Sequence, residues 1–472
     1  MNSKTKADTM TKTVVNPFLE GNFAPIHQEI TADELKVIGD LPSDLSGMFV
    51  RNGPNPQFPP IGQYHWFDGD GMLHGVRIKD GKASYLNRYV QTRGFKIERN
   101  EGRTIWTGIL EPPQPDNPYG PGKNTANTAL AWHAGKFLAL WEGGAPHAIQ
   151  LPSLETVGEY TYNGSLASSF TAHPKIDPVT GEMMFFGYSL FAPPFLQYSV
   201  VSAEGELLHT VPIDLPVGVM MHDFAITEHY TIFMDLPVTF RPERMKRGEP
   251  PLMFEPTRPS RFGILPRHGD NSSIRWFESP ACYVFHTLNA YSEGDQVVLV
   301  ACRMNSTNVL MSDQTPIETE GDIARLYRWR FNLITGKVQE EALDDRVSDF
   351  PRVNEQLLGR PTRYGYTAKF AASPVPLFDA LIKYDFSSES SQIHEFGAGR
   401  YGGEAVFVPR PAATAEDDGW LITFVYDEGV GTSELVVVNA QDVTTSPVAR
   451  VIMPQRVPYG FHGTWVSEQQ CV

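Results

Sequence analysis

Short apolar runs separated by turn residues recur along almost the whole chain and restrict what it can fold into. Runs such as 136–141, 296–300 and 434–438 have the length and composition of buried strands, and turn pairs such as Asn163-Gly164 and Asp418-Gly419 lie between such runs. The 40 glycines and 38 prolines suit many tight turns, while long helical patterns are scarce. The pattern therefore predicts an all-β protein made of many short strands.

The length of the chain bears on its domain organisation. Its 472 residues exceed the usual size of one domain. A β-propeller repeats small sheets around an axis and can hold such a length as one unit. The sequence shows no repeat of blade length, so the pattern permits a propeller without requiring one. We expect residues 1–20 to form a disordered tail and residues 21–472 to form a single domain.

Four histidines stand in apolar or turn-rich surroundings and are candidate metal ligands. They are His173, His222, His286 and His462. Neutral imidazole is a common ligand of iron, copper and zinc. These residues come from distant parts of the chain, so only the tertiary fold can bring them together. Taken singly, each is more often a core histidine than a ligand, and the decision depends on the surrounding sequence.

The segments around these histidines, with several others, resemble the carotenoid cleavage oxygenases from about Asn22 to the C-terminus. The matching runs keep the family's order: 21–26 (GNFAPI), 49–56 (FVRNGPNP), 64–72 (YHWFDGDGM), 126–128 (ANT), 171–174 (TAHP), 221–224 (MHDF), 403–405 (GEA) and 460–463 (GFHG). The resemblance implies a non-haem Fe(II) oxygenase on a seven-bladed β-propeller, with a cap of helices and loops over the axis that carries the iron. It implies that the four histidines named above are the iron ligands.

The resemblance also implies three glutamates that orient the ligands. A metal-bound imidazole needs an acceptor for its other N–H, which fixes the tautomer. The implied pairs are Glu142 with His222, Glu355 with His286, and Glu404 with His462. A family threonine near the iron, which crowds its sixth position, matches Thr128. Without the family, each glutamate would read as an ordinary surface carboxylate.

The implied reaction is cleavage of a conjugated double bond by dioxygen, which gives two carbonyl products. Longer runs resemble the plant-type enzymes that cleave carotenoids at the 9,10 and 9′,10′ positions. These runs are 65–70, 171–187, 221–237, 275–278 and 349–355. The plant enzymes carry a longer helical insertion where this chain has the short segment 103–123, rich in Pro and Gly. Shorter apocarotenoids, with cleavage at 15,15′, therefore remain an alternative.

Two further alternatives stay open. A family branch that cleaves hydroxylated stilbenes has a lysine just before the first glutamate, where this chain has Trp141. A large apolar ring suits a polyene better than a phenolate. A propeller that only binds and has lost its chemistry would belong to a different class of protein. That reading requires loss of activity with every implied metal residue retained.

The expected substrate pocket is apolar and lies beside the ligands. Phe285 directly precedes His286, and Met220 and Met221 directly precede His222. Trp141 precedes the implied orienting residue Glu142. Aromatic and Met side chains bind a polyene through contact area and polarizability. Neighbours in a strand alternate between faces, so we expect some of these four to line the pocket and others to pack between sheets.

Charge and targeting signals limit the partners. The net charge of −16 argues against nucleic acid, whose binding depends on clustered Lys and Arg. The polar first 15 residues lack the core of a signal peptide, and the three cysteines offer no disulfide framework, so a cytoplasmic protein is expected. No obligate protein partner is evident.

Two Pro-rich apolar segments, 190–196 and 250–254, are the candidate surfaces for membrane contact. Each is read equally well as a plain packed loop. No run reaches the roughly 18 apolar residues of a membrane span. The membrane reading is therefore limited to peripheral contact.

Overall fold

The computed structural model describes residues 16–112, 114–307 and 323–471, and in them β-strands predominate. The only α-helix among these residues is α1 (Arg93–Glu101). Thr92 caps its first turn through Phe95 N, and Gly102 ends it in the left-handed conformation at φ 67°. The all-β expectation is confirmed, and what lies outside the sheets is loop and short 3-10 helix.

The strands of the described residues follow one another along the whole chain. In chain order they are β1 (Thr31–Ala32), β2 (Val37–Gly39), β3 (Gly47–Pro54), β4 (Gly71–Lys79), β5 (Lys82–Tyr89), β6 (Ala129–His133), β7 (Lys136–Leu140), β8 (His147–Gln150), β9 (Glu155–Glu159), β10 (Lys175–Ile176), β11 (Met183–Tyr188), β12 (Leu196–Val201), β13 (Leu207–Ile213), β14 (Ala225–Ile226), β15 (Tyr230–Asp235), β16 (Val238–Phe240), β17 (Leu252–Phe254), β18 (Ser260–Pro266), β19 (Arg275–Ser279), β20 (Tyr283–Glu293), β21 (Gln296–Met304), β22 (Arg325–Asn332), β23 (Val338–Arg352), β24 (Tyr364–Phe370), β25 (Phe378–Asp385), β26 (Ser390–Glu395), β27 (Arg400–Tyr401), β28 (Val406–Pro409), β29 (Gly419–Asp427), β30 (Thr432–Asn439), β31 (Ala449–Ile452) and β32 (Gly463–Ser467). The 3-10 helices are Pro17–Leu19, Gly21–Phe23, Trp66–Asp68, Pro242–Arg247, Asn271–Ser273 and Glu355–Leu357.

These strands form antiparallel sheets of mostly consecutive strands. The sheet orders are β1-β5-β4-β3-β32, β6-β7-β8-β9, β10-β11-β12-β13, β14-β15-β18-β19, β16-β17, β20 through β26 in sequence, and β2-β31-β30-β29-β27 with β28 on β29. Strands from the two ends of the chain pair, since Phe49 of β3 lies opposite Trp465 of β32. The chain is therefore closed on itself by hydrogen bonds within one sheet, between strands from its two ends.

The apolar faces of neighbouring sheets form the core. Phe262 of β18 contacts Trp329 and Phe331 of β22, at 5.5 and 5.1 Å between ring centroids. Strands such as β30 are buried at nearly every position, which a sheet covered on both faces requires. The three apolar runs predicted as strands are confirmed as β7, β21 and β30.

The predicted N-terminal tail differs from the structure where it can be compared. Pro17–Leu19 forms a 3-10 helix with Phe18 buried, and Asn16 donates a hydrogen bond to the carbonyl of Tyr64. An aromatic contact with Trp66 holds Phe18 in place, with parallel rings 6.2 Å apart. For residues 16–20 the expectation of disorder is therefore wrong, and residues 1–15 lie outside the described residues.

Four large apolar side chains that reach the surface lie in or near the two Pro-rich segments. Phe191 is 74 % exposed and contacts Phe240 of β16 with ring centroids 5.0 Å apart. Met253 lies on the paired strand β17, and Met245 lies in the 3-10 helix between the two strands. We call these four residues the outer apolar patch. No helix in residues 16–112, 114–307 and 323–471 is long and apolar enough to cross a membrane.

Candidate metal centre

The four candidate histidines come together at one point of the fold. One ring nitrogen from each of His173, His222, His286 and His462 lies within 4.8 Å of the others. The Nε2 atoms of His173 and His222 are 2.9 Å apart. Residues this distant in sequence meet only because four separate sheets converge here.

Each histidine lies in or just before an edge strand of a different sheet. His173 precedes β10, His222 precedes β14, and His462 precedes β32, while His286 lies within β20. Those strands are terminal in the orders of their sheets. One edge of each sheet therefore faces the cluster, and loop residues at three of the edges supply imidazoles without disturbing a ladder.

His286 is presented by a β-bulge. Pairing of β20 with β21 runs from Val284–Arg303 to Thr287–Ala301, so β20 carries an extra residue at this point. A bulge bends its strand and redirects a side chain. It explains how a residue inside a long buried strand can point toward the cluster.

The nitrogen atoms of the cluster are arranged as metal ligands would be. Nε2 of His286 is buried without a hydrogen-bond partner. An unpaired buried polar atom is costly and requires an explanation. A metal ion among four imidazoles would satisfy it, and four nitrogen donors suit a first-row transition metal. The residues present therefore fit a metal.

Two of the predicted glutamates lie on the remaining ring nitrogen of a candidate ligand. Glu142 Oε2 lies 2.5 Å from His222 Nδ1. Glu404 Oε1 lies 2.9 Å from His462 Nδ1, and its other oxygen accepts a 2.8 Å hydrogen bond from Gly463 N. A carboxylate on Nδ1 fixes the proton there and leaves Nε2 free to bind a metal.

The third predicted pair, Glu355 with His286, is wrong in this structure. Nδ1 of His286 lies 2.9 Å from Oδ1 of Asp349. Asp349 lies near the end of β23, at a break in register before Arg352, and Phe350 adopts φ 53°. This irregularity turns the shorter aspartate side chain toward the imidazole.

Glu355 lies outside the cluster. Its side chain is 61 % exposed and pairs with Arg352 at 2.6 Å. Arg352 also approaches Glu404, with 3.6 Å between Nη1 and Oε1. Glu355 therefore reaches a candidate ligand, His462, only through Arg352 and Glu404. Asp349, and not Glu355, lies on Nδ1 of His286.

Burial keeps two of the imidazoles neutral. It lowers the pKa of His173 well below the ordinary value, and the neighbouring imidazoles lower it further. Burial likewise lowers the pKa of His462, although Glu404 acts in the opposite direction. A neutral imidazole keeps the lone pair that a metal needs.

Burial and charge act against each other in both carboxylate–imidazole pairs. Burial raises the pKa of Glu404, but Arg352 and then His462 outweigh it and bring the pKa down to about 2. At His222 burial acts downward, yet the Glu142 carboxylate outweighs it and raises the pKa of the imidazole. In both pairs a carboxylate oxygen lies on Nδ1, and at His462 the lowered pKa of Glu404 keeps that carboxylate ionised.

A polar cavity of about 220 Å³ opens onto one side of the cluster. His173, His286 and His462 contribute to its wall. Its charged lining consists of Lys175, Asp223, Arg352, Glu355 and Glu404. None of the residues predicted to bind substrate lines this cavity.

The predicted substrate residues lie outside this cavity, and three of them divide between two apolar core clusters. Phe285 is buried with its ring centroid 5.4 Å from that of His222, and it packs in one core cluster with Met220. Met221 packs in the next core cluster. Adjacent methionines thus face opposite sides, as expected of extended chain. The Trp141 ring covers the turn at Gly143 so closely that any side chain in place of this glycine would clash with it.

The backbone of Thr128 lies beside that of His462, one of the candidate ligands. Its carbonyl oxygen accepts a 3.2 Å hydrogen bond from His462 N. Its hydroxyl donates to Asn127 Oδ1 at 3.0 Å. The structure places the residue next to the cluster, and its effect on a sixth metal position remains a prediction.

Sequence reasoning missed several residues around the cluster. Tyr188 donates a 2.6 Å hydrogen bond to Glu142 Oε1, on the carboxylate that holds His222. Asp349 is the first residue of the run 349–355, which carries the family likeness. The sequence signal available was therefore an acidic residue in this run, either Asp or Glu, as the partner of His286. Arg352 gave no signal, because its partners are known only from the fold.

Comparison with known proteins identifies the family. Residues 23–467 match the family described as "Retinal pigment epithelial membrane protein". The chain is 44 % identical to "Carotenoid 9,10(9′,10′)-cleavage dioxygenase 1" of Arabidopsis thaliana, over 96 % of this chain and 90 % of that protein. It is 37 % identical to "Carotenoid cleavage oxygenase" of Mycobacterium tuberculosis, over 95 % and 97 %.

Solved structures agree with the sequence comparison. The lignostilbene dioxygenase of Pseudomonas brassicacearum superposes with a TM-score of 0.89 at 33 % identity, covering 96 % of this chain and 98 % of that one. A cobalt-substituted apocarotenoid oxygenase of Synechocystis gives 0.83 at 31 % identity, with 94 % and 97 % covered. The chain therefore belongs to the carotenoid cleavage oxygenases, the family that also bears the retinal pigment epithelial membrane protein description.

Proposed function

We propose that this protein is an Fe(II)-dependent dioxygenase that cleaves a conjugated double bond of a carotenoid or apocarotenoid. Dioxygen is the second substrate, and two carbonyl compounds are the products. The preferred bonds are 9,10 and 9′,10′, as in the names of plant relatives at 44 % identity. The observation that carries the proposal is the cluster of four histidines with carboxylates on three of their Nδ1 atoms.

The proposed metal ligands are the Nε2 atoms of His173, His222, His286 and His462. The unpaired Nε2 of His286 supports this assignment. We assign the orienting role to Glu142, Asp349 and Glu404, because each accepts from an Nδ1 atom. The family resemblance supports Fe(II) as the metal. Four neutral imidazoles would not neutralise the double positive charge of this ion.

The chemistry that a bound iron supplies is activation of dioxygen for attack on a carbon–carbon double bond. The chain's residues hold the imidazoles in one tautomer and exclude water. An uncharged polyene needs no acid or base, and the apolar residues beside His222 offer none. Thr128 is proposed to restrict the space beside the cluster, which a Thr128→Ala enzyme tests through altered water access and slower cleavage.

The proposed substrate contacts are Phe285, whose ring lies beside that of His222, and Met220. Trp141 is proposed to disfavour phenolic substrates. Cleavage of an apocarotenoid is the first alternative and is supported by the likeness to an apocarotenoid oxygenase, with 15,15′ as the bond that the family resemblance implies. Cleavage of stilbenes is supported by the lignostilbene dioxygenase structure at a TM-score of 0.89. Trp141 in place of lysine favours the carotenoid class. An inactive binding module is disfavoured by the complete ligand set.

We propose that the sheets are the seven blades of a propeller. Among the described residues, six sheets have four or more strands. The sheet from β20 to β26 divides at β23, whose residues 338–347 pair with β22 and 348–352 with β24. Counting that sheet as two blades gives seven. The shared edge position of the four histidines supports a common axis.

We propose a cytoplasmic location with peripheral membrane contact through the outer apolar patch. Cys282, Cys302 and Cys471 are free and buried, which suits a reducing compartment. Phe191 at 74 % and Met245 at 54 % exposure are unusual for large apolar side chains and suit insertion among lipid headgroups. Flotation of the protein with liposomes, with Phe191→Ser as the variant, tests this contact.

The central experiment supplies iron-loaded protein with a C40 carotenoid, an apocarotenal and a 4-hydroxystilbene, and identifies products by mass. Cleavage of the carotenoid at 9,10 and 9′,10′ is expected. Faster turnover of the stilbene would overturn the carotenoid assignment. A Trp141→Lys variant should move the preference toward the stilbene, since a cation then faces the phenolic oxygen.

A further inference from the structure

Asp223 connects the segments that carry three of the four histidines. Lys175 follows His173 by two residues, Asp223 follows His222 directly, and Thr287 follows His286 directly. Asp223 Oδ1 accepts from Lys175 Nζ at 2.7 Å. Its Oδ2 accepts from Thr287 N at 2.7 Å and from Thr287 Oγ1 at 2.8 Å. The Asp223 carboxylate therefore bonds to Lys175, near His173, and to Thr287, next to His286. Asp223 itself directly follows His222.

Its surroundings make these bonds strong and specific. The Asp223 side chain is 2 % exposed and that of Lys175 is 13 % exposed. Hydrogen bonds to an ionised group in a buried site are worth roughly twice a neutral one. Oδ1 also accepts from Phe224 N at 2.7 Å, which locks the carboxylate's orientation. The group has little freedom to move without shifting its partners.

The Thr287 contact bears on the aim of His286. Thr287 is the first residue after the bulge that presents His286. A bulge interrupts the ladder and leaves backbone groups that need other partners. The Asp223 carboxylate supplies one of those partners, for the amide of Thr287. Without it, the bulge would lose two of the bonds that tie it to the His222 segment and keep only the 3.2 Å contact of Thr287 Oγ1 with the Phe224 carbonyl.

We propose that Asp223 is a positioning residue that sets the spacing of His173, His222 and His286, with Lys175 balancing its charge. It contacts no imidazole nitrogen in this structure and is not a ligand. The inference rests on the proposed metal site and adds a residue that acts through the backbone of the ligand segments. It differs in this from Glu142, Asp349 and Glu404, which act on Nδ1.

The test uses three variants and one matched control. Asp223→Asn keeps the size of the side chain and removes its charge. Thr287→Val removes only the hydroxyl contact, and Thr287→Ser keeps it. The control is Asp235→Asn, which alters a buried carboxylate bound by Arg258 and Arg261 at 2.7 Å each and is not adjacent in sequence to any of the four histidines.

The readouts are cobalt(II) affinity and the visible absorption of bound cobalt, with thermal stability measured in parallel. A relative has been crystallised with cobalt, so this probe enters such a site. We expect Asp223→Asn to weaken cobalt binding by about 10-fold or more and to change the spectrum, as loss of outer partners does at other sites. Thr287→Val should show a smaller change of the same kind, and Thr287→Ser should resemble the native protein.

Asp235→Asn should lose stability while keeping native cobalt affinity and spectrum. Unchanged cobalt binding in both Asp223→Asn and Thr287→Val would overturn the role of Asp223 and leave the metal site intact. Equal loss in the Asp235→Asn control would also overturn it, because the effect would then follow general stability. If Asp223→Asn fails to fold, the Thr287 pair decides by the same criterion. A native protein that takes up no metal would overturn the proposed site and this inference together.

Discussion

The two sides of the histidine cluster differ in chemistry. On one side lies the polar cavity, whose wall includes Lys175, Asp223 and Arg352. On the other, Phe285 lies against His222 and packs edge-on to Tyr283 with ring centroids 4.7 Å apart. The cluster thus borders a cavity with charged walls at His173, His286 and His462, and an aromatic ring at His222.

This difference separates two tasks. Charged partners fix ligands strongly, because a bond to an ionised group is directional and resists rotation. Aromatic rings present area without charge, which suits a hydrocarbon and excludes water. If the separation is real, changes on the polar side should alter the metal, and changes on the aromatic side should alter substrate use.

The largest effect is expected from a ligand. His286→Ala removes one of four nitrogen donors and should abolish stoichiometric iron binding and oxygen uptake, measured by metal analysis and an oxygen electrode. His394→Ala is the control, since His394 is buried in β26, where its Nδ1 bonds to the carbonyl of Val443 at 2.9 Å, and it is not one of the clustered histidines. Full activity of His286→Ala would end the assignment of the cluster as a metal site.

The next effect distinguishes the two acids near His286. Asp349→Asn should weaken iron affinity about 10- to 100-fold, because it replaces the carboxylate that accepts from Nδ1 with a neutral amide, a weaker acceptor. Glu355→Gln should leave iron affinity within about 2-fold, because its side chain is 61 % exposed. Chelator competition measures both. The reverse order would restore Glu355 as the orienting residue and contradict the geometry seen here.

A smaller effect is expected on the aromatic side. Phe285→Leu keeps an apolar side chain but loses ring contact, so kcat/KM for a carotenoid should fall about 10-fold, a loss of ~1.4 kcal/mol. Iron content should stay native. Phe277→Leu is the control, because Phe277 is buried in the same apolar core as Phe285 but packs on Phe331, at 5.5 Å, and is not adjacent in sequence to any of the four histidines. Loss of iron in Phe285→Leu would show that the two sides are not separable.

Much of this arrangement was predictable from sequence, and the reasons are physical. Apolar runs between turns indicated strands, because a strand buried on both faces needs such a run. His173, His222 and His462 stood in runs that carry the family likeness, and His286 was the fourth ligand that the likeness implied. Their convergence was not derivable from spacing, since it depends on which edge of each sheet faces the cluster.

The error at Glu355 has a specific cause. The expectation of three glutamates favoured the nearest glutamate in the run 349–355, although Asp349 begins that run. A break in register and the positive φ of Phe350 decide which acid reaches the imidazole, and neither feature is visible in the sequence. The Asp223 contacts were hidden for a similar reason, because they join segments that meet only in the fold.

The smallest effect should come from a carboxylate on neither side of the cluster. Glu255, next to the β16–β17 hairpin, accepts from Arg241 at 2.5 Å and from the Thr239 hydroxyl at 2.6 Å. The bond from Arg241 first, and Thr239 with it, lowers the pKa of Glu255 from 4.5 to about 2. A pKa lowered by folding means that the ionised group stabilises the protein above about pH 4.5 and that this contribution is lost as the pH falls toward 2.

Glu255→Gln should therefore be less stable than the native protein near neutral pH, by no more than about 1 kcal/mol because the pair is partly exposed. The difference should shrink as the pH falls below about 4.5. Urea unfolding over this pH range measures it, and iron affinity should not change. This variant thus shows what loss of a cation-bound carboxylate does when no histidine segment depends on it. An iron affinity reduced as far as in Asp349→Asn would mean that carboxylates throughout the fold affect the metal, and the polar side would have no special role.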